Sequence, residues 1–366
     1  SPGFLAFTGP KREREAYSMR ITRLEVHLQM FMRDENMKKV LLATSALVAW
    51  AGVASAQGVA LSGSAEMGIV GGDRTGPDAF EGVDTDEINF FNDVDVRFTL
   101  SGETDFGLTF GAVVDLDEAG NLGAEADNQG TSVFLSGAFG TVTLGDTDGA
   151  LDRVMQDAST AGNPGSITDD ETVHAGYVGA FGDGLVDDNQ ILAYEYSLDN
   201  FLFAVSVEQN TGANPVLEPG DTGDFGFALG VRYTDTFGAV DITAGLGYQV
   251  IQLAAFDTEI IGVSVLAEIG DFSGVIGYTD WENFSVPTGP SAADDDSHAY
   301  IGLGYSFDAF SIHANYGEFD SGDSGFGLAA GYDLGGASIL LGYGSSDRAG
   351  GGADNDFWSL GVSMSF

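Results

Sequence analysis

Carboxylates are the side chains most able to do chemistry in this sequence. Residues 146–189 carry ten of them: Asp146, Asp148, Asp152, Asp157, Asp169, Asp170, Glu171, Asp183, Asp187 and Asp188. Acids in such density can transfer protons, bind a hard cation through several oxygens, or present a field to passing ions. Acid pairs recur along the whole chain, so none marks an acid–base dyad. Asp146-Thr147-Asp148-Gly149 and Asp294-Asp295-Asp296 could coordinate Ca²⁺, with Asp146 and Asp148 the foremost candidate ligands, but neither completes an EF-hand loop. A solvated acidic loop is the plainer reading of each. The four His have no metal-ligand spacing, no G-x-S-x-G elbow or phosphate loop stands out, and there is no Cys. These residues point away from an enzyme and require no cofactor.

The surrounding composition narrows the class. The chain has 366 residues, 13 Lys+Arg against 56 Asp+Glu, a formal charge of −43, 43% hydrophobic residues, 11% aromatics and 54 Gly. A disordered acidic tail would lack that apolar content. Such a charge repels phosphate, so nucleic acid is excluded as a partner. Met37-Lys38-Lys39, an apolar run from Val40 to Val53, and Ala54-Ser55-Ala56 follow the order of a secretory signal peptide, 37–56. The run is short of the roughly 20 apolar residues of a spanning helix. Residues 1–36, basic in patches, read as a mis-assigned upstream start with Met37 the initiator. The remaining domain, 57–366, keeps Arg74, Arg97, Arg153, Arg232 and Arg348, no Lys, and 51 acids.

That domain alternates. Val240, Ile242, Ala244, Leu246 and Tyr248 share one parity, and Asp241, Thr243, Gly245 and Gln249 the other. Period two gives each strand one apolar and one polar face. Sixteen such spans are expected: 59–70, 88–101, 107–117, 130–137, 140–146, 190–198, 201–209, 224–234, 239–250, 258–269, 272–281, 297–307, 310–319, 325–334, 337–347 and 357–366. The alternation is poorest over 272–281. Polarity alone fits either a soluble sandwich with apolar faces inward or a transmembrane barrel with apolar faces outward.

Three features favour the barrel. Phe106, Phe139, Phe201, Phe237, Phe272 and Phe310 each sit in or beside a tight turn, at spacings of 33, 62, 36, 35 and 38 residues. That period fits a two-strand unit, and the ring of Phe fits an aromatic girdle at one membrane interface. Connections on the Phe side are short, whereas those at 71–87, 118–129, 210–223, 282–296 and 347–356 are longer and mostly acidic. The last strand alternates Trp358, Leu360, Val362, Met364 and Phe366 with Ser and Gly, and the sequence closes on Phe366. That ending resembles the strand signal read by the outer-membrane barrel assembly machinery.

The residues from Ser132 to Asp146 resemble the strand–turn–strand before the third loop of alphaproteobacterial general porins of the Rhodobacter type. Ser101 to Ala112 resembles the hairpin before it, and Gln190 to Ser197 the strand after the loop. The resemblance implies an all-β, 16-stranded antiparallel transmembrane barrel in the outer membrane of a Gram-negative cell, reached through the periplasm. It also implies a homotrimer and a water-filled pore, with the long third loop folded into the lumen as a constriction. Asp146, Asp148, Asp152, Asp157, Asp169, Asp170 and Glu171 are its constriction candidates. By parity, Asp93, Asp95, Arg97 and Arg232 face the lumen. Such porins set a basic wall against the acidic loop; here the basic side is thin. The expectation is a non-specific, cation-preferring channel for small polar solutes and ions, in contact with outer-membrane lipid. A solute-specific channel and a secreted acidic β-sandwich binding Ca²⁺ or glycan are the alternatives.

Overall fold

The computed structural model describes residues 58–73, 88–117, 127–179, 190–209, 225–252, 257–284, 294–349 and 355–366. The expected upstream start and signal peptide (1–56), Arg74, and the acids Asp183, Asp187 and Asp188 lie outside them, as does much of each long acidic connection. The strands are β1 Gly58–Gly72, β2 Asn89–Glu103, β3 Thr109–Asp117, β4 Asp127–Gly137, β5 Gly140–Gly145, β6 Gln190–Leu198, β7 Phe201–Gln209 and β8 Phe225–Phe237. There follow β9 Val240–Gln252, β10 Asp257–Ile269, β11 Phe272–Phe284, β12 Asp294–Phe307, β13 Phe310–Phe319, β14 Ser324–Asp333, β15 Ala337–Asp347 and β16 Asn355–Ser365. Each pairs antiparallel with its neighbours in sequence, and β1 pairs with β16, so one sheet closes into a barrel. A single closed sheet replaces the two stacked sheets of a sandwich, which removes that alternative.

All sixteen expected strands form, with ends within three residues of those read from alternation. The two faces separate as period two requires. On β12, Ile301, Leu303 and Phe307 are exposed while His298, Tyr300, Gly302 and Gly304 on the other parity are buried. The same division runs along β9, where Leu246 is exposed and Gly245 and Gly247 are buried. The weak pattern of β11 has a structural cause. Val275 and Trp281 sit on the buried parity, so apolar residues occupy both faces there.

One rim carries the tight turns. Gly107, Gly238 and Gly270, with Asp199 and Asp308, hold the left-handed backbone positions that these turns need. All six predicted Phe lie on this rim and are exposed, Phe106 most of all at 94%. Three of them meet a Tyr directly across the next strand pair: Phe201 with Tyr233, Phe272 with Tyr305 and Phe310 with Tyr332, at centroid distances of 4.9, 4.5 and 4.6 Å. These ring pairs stitch one hairpin to the next. On the opposite rim the connections are less uniform than expected. Only residues 253–256 separate β9 from β10, and only 320–323 separate β13 from β14.

An outward apolar band of this kind predicts a depth-dependent cost for charge. Ile301→Arg, in the middle of β12, is expected to destabilise the barrel in lipid vesicles by about 2–4 kcal/mol, and Phe307→Arg at its end by about 0–1 kcal/mol. Urea titration of folding in vesicles measures both.

Candidate functional site

The chain between β5 and β6 does not loop outward. Its described part, 146–179, packs against the small-residue face of the wall, opposite the exposed apolar band. It contains a short helix, α1 (Ala150–Val154), and a single 3-10 turn at Ala158–Thr160. Ala150, Leu151, Val154, Met155, Ala158 and Ala161 are buried against inward-facing Ala204, Ala228, Ile251, Ile260, Val275 and Tyr300. Each large apolar side chain so buried contributes about 1.5–3 kcal/mol. Ile167 continues the contact with Val70 and Leu340 at the far side of the wall.

The wall is shaped to receive main chain. A Cβ added at Gly245, Gly302, Gly304, Gly317 or Gly327 would overlap the carbonyl oxygens of Val154, Ala158, Ala161, Gly176 and Glu171, respectively. Glycine is needed here for close approach rather than for a turn. Wall hydroxyls meet the segment's amides: Ser206 Oγ accepts from Ala150 N and Ser264 Oγ from Gln156 N, both at 2.8 Å, and Ser346 Oγ from Ala175 N at 2.9 Å. The Tyr300 hydroxyl donates to the Gln156 carbonyl at 2.5 Å.

The predicted constriction acids divide into two groups. Asp170 and Glu171 are buried, at 0% and 1% exposure, and therefore do not line the opening. Asp170 is held by Thr168 Oγ1 at 3.0 Å, and Glu171 Oε1 accepts from Asn163 at 2.8 Å. Asp157 is committed to structure as well. It caps the 3-10 turn through Thr160 N and accepts from Ser159, the Thr160 hydroxyl and Tyr177. Burial, then the charge of Asp157, pushes the Tyr177 hydroxyl up, so it stays a donor. Asp146, Asp148 and Asp169 are exposed and Asp152 is half-buried.

Asp169 takes the left-handed conformation, φ 51°, and faces the uncovered wall. Burial and the neighbouring charges of Glu171, Asp170, Asp93 and Asp95 push its carboxyl up to about 6. The side chain is accessible to water, yet protein surrounds it closely enough to raise the cost of its charge. Glu66 on β1 couples to the same three aspartates, Asp93, Asp95 and Asp169. Periodicity placed Asp93 and Asp95 on this face; Glu66 shares the parity of Ser64 and was legible in the same way, but was not singled out.

The arginines are engaged elsewhere. Arg97 pairs with Asp115 across β2 and β3, Nε at 2.8 Å. Arg232 does not stand across the opening from the segment, as parity alone suggested; it lies beneath it and donates to the Arg153 carbonyl at 3.0 Å. Arg153 itself reaches from α1 to Glu195 on β6 at 2.9 Å, to the Asp148 carbonyl at 2.7 Å, and to the Thr147 hydroxyl. A guanidinium thus already sits in the Asp146–Gly149 turn, a donor set that disfavours Ca²⁺ there. Among the described residues, no group of three or more His, Asp or Glu is placed to hold a metal ion.

Histidines were set aside for lack of ligand spacing, yet His174, His298 and His313 are all buried where the segment meets β12 and β13. The usable signal was parity. His298 alternates in phase with Gly302 and Gly304, and His313 with Gly317.

Comparison with known proteins agrees with this arrangement. Residues 43–363 match the model of the Gram-negative porin family. A porin of Rhodobacter capsulatus is 31% identical over 327 residues, 81% of this chain and 94% of the relative. A porin crystal structure refined at 1.8 Å superposes with a TM-score of 0.63 at 28% identity, covering 84% of this chain and 100% of the other. A triple mutant of the Rhodopseudomonas blastica porin, at 20% identity, shares the fold with a TM-score of 0.57, over 84% of this chain and 100% of its own. The chain belongs to the Gram-negative porin family: it is a channel protein of the outer membrane.

The glycine seat predicts a local defect. Gly302→Val is expected to lift the turn at Ala158 off the wall while the sheet persists. Chymotrypsin should then cut the folded protein at Tyr177, a site that the parent barrel protects.

Proposed function

We propose that this porin forms a water-filled, general diffusion channel that prefers cations among small hydrophilic solutes and ions. The observation that carries the preference is the facing of carboxylate on carboxylate: Asp169 of the inner segment against Glu66, Asp93 and Asp95 of the wall. Where the related pores are expected to oppose acid with base, the nearest wall arginine, Arg97, is held by Asp115. Like charges around a narrow aqueous path concentrate counter-ions and exclude anions. The inner segment narrows that path from one side, with Asp146, Asp148 and Asp152 as further acids along it.

Three copies are proposed to assemble. Strands β4 and β5 support this, because β5 has six residues, about 20 Å of extended chain. Tilted, such a strand falls short of an apolar band roughly 25 Å tall. Val133, Leu135 and Leu144 face outward there, and another copy of the barrel is the natural cover. The girdle role of the six rim Phe, export by the segment 37–56, and recognition of Phe366 by the assembly machinery belong to the same reading. The Phe366 ring is 79% exposed and accessible to a receptor.

A planar bilayer under a KCl gradient tests the channel. The reversal potential should have the sign of cation preference; anion preference overturns the selectivity, and absence of conductance overturns the pore. Preference should fall as pH drops through about 6, where Asp169 gains a proton and the path loses a charge. Asp169→Asn should lower the permeability ratio roughly twofold at neutral pH and remove that step. On gels, the native protein should migrate as a trimer that only boiling dissociates, and a monomer before heating counts against the assembly.

A further inference from the structure

We propose that His174, His298, His313 and Asn315 form a latch that holds the inner segment on β12 and β13 only while the three imidazoles are neutral, so that acid releases the segment from the wall. The proton positions follow from the acceptors. His298 Nε2 lies 2.9 Å from the Gly176 carbonyl and His313 Nδ1 lies 2.8 Å from the Ala161 carbonyl, so both nitrogens donate. Asn315 Nδ2 donates to the Glu171 carbonyl at 2.8 Å and toward His313 Nε2 at 3.1 Å, which must therefore be an acceptor. The Asn315 Oδ1 then accepts from His174 Nε2 at 2.6 Å. Every ring donates through one nitrogen: His298, His313 and Asn315 of the wall grip three separate carbonyls of the segment, and His174 of the segment returns a bond to Asn315.

A second proton has no place in this arrangement. On His313 it would set N–H against the Asn315 amide. The Nδ1 atoms of His174 and His298 are buried and without a hydrogen-bond partner, so a proton on either creates an unpaired interior cation. The two rings also repel one another when charged. Their other neighbours are aromatic or lack a side chain: Tyr177 against His174, Tyr300 and Phe319 against His298, and Gly325 beside His174. Three carboxylates face these rings, Asp296 toward His298 and both Asp157 and Glu171 toward His313. Asp157 is spent on Ser159, Thr160 and Tyr177, Asp296 on the amides of Ser297 and Ser321, and Glu171 Oε1 on Asn163, which leaves Glu171 Oε2 buried without a hydrogen-bond partner.

Burial holds His174 down to about 4, below the 6.5 of a free imidazole. The seated form is therefore fully favoured above about 6.5 and loses that advantage progressively as pH falls toward 4. Asp169, raised to about 6, runs the other way and favours seating as it is protonated.

The latch rests on the porin reading only in that the segment narrows the pore, and its test does not use current. Hydrogen–deuterium exchange on the assembled protein in detergent, corrected for the intrinsic rate, should show protection over 150–177 falling about tenfold from pH 7 to 4.5, with β8 and β9 unchanged. The triple variant His174→Gln, His298→Gln, His313→Asn keeps each donor, since Gln mimics Nε2–H and Asn mimics Nδ1–H, and should stay protected at pH 4.5. Constant protection in the parent, or equal loss in the variant, overturns the latch. Should the triple variant not assemble, His298→Gln alone must reduce the loss by about threefold; an unchanged loss overturns it equally.

Discussion

Inside a bilayer no water is available to a backbone amide, and the structure depends on that fact. Every N–H and C=O at membrane depth must find a partner within the protein, which for strands requires a sheet without edges. The seam is where this condition is met or fails. β1 and β16 pair from Ser64 with Ser365 through Gly72 with Phe357, and Phe366 extends the seam by bonding to Gly63 at 2.9 Å. A closed wall then has only two faces to assign. The outer one must be apolar, so Val, Leu, Ile and Phe occupy it whatever their order. The inner one is free of that rule.

Freedom on the inner face is what lets the pore be built. Small residues there admit a folded segment so closely that its carbonyls lie against wall glycines such as Gly302 and Gly317. Glycine within the strands thus serves the interior, as that in the turns serves the rim. The same closeness makes the segment's polar atoms a matter for the wall: with no water layer between, Ser206, Ser264, Ser346, His298 and His313 must supply the bonds. Electrostatics follow from the layout. The arginines that sequence spacing assigns to the lumen are consumed in holding parts together, Arg232 beneath the segment and Arg97 against Asp115, and Arg153 of α1 is held by Glu195, while Asp169, Glu66, Asp93 and Asp95 are left facing one another.

The wall was legible in the sequence because its rule is local. Alternation over ten residues depends on which face meets lipid, and it yields all sixteen strands; only β11 is blurred, by Val275 and Trp281 turned inward to meet the segment. The rim was legible for the same reason, since each Phe accompanies a turn of recognisable chemistry. The interior was not. Whether an acid between residues 146 and 179 faces water or wall depends on partners in other strands. Asp169, Asp170 and Glu171 are adjacent and indistinguishable by type, yet the first is exposed and the next two are buried. The histidines escaped notice because a search for metal ligands asks about sequence spacing, whereas His298 meets Gly176 across 122 positions of chain only after the barrel has closed.

That long reach orders events during maturation. The segment's bonds to Ser206, Ser264, His313 and Ser346 span 56, 108, 152 and 171 positions, and nothing nearer in sequence replaces them. Non-local bonds of this kind form late, because the loop between partners must first be closed at an entropic cost. The segment therefore cannot complete its contacts until the last strands arrive. A half-built wall would leave Asp170 and Glu171 in water, and their withdrawal from it is deferred to the final step. Complete seating therefore requires the whole sheet, since Ile167 lies against both Gly68 of β1 and Gly361 of β16.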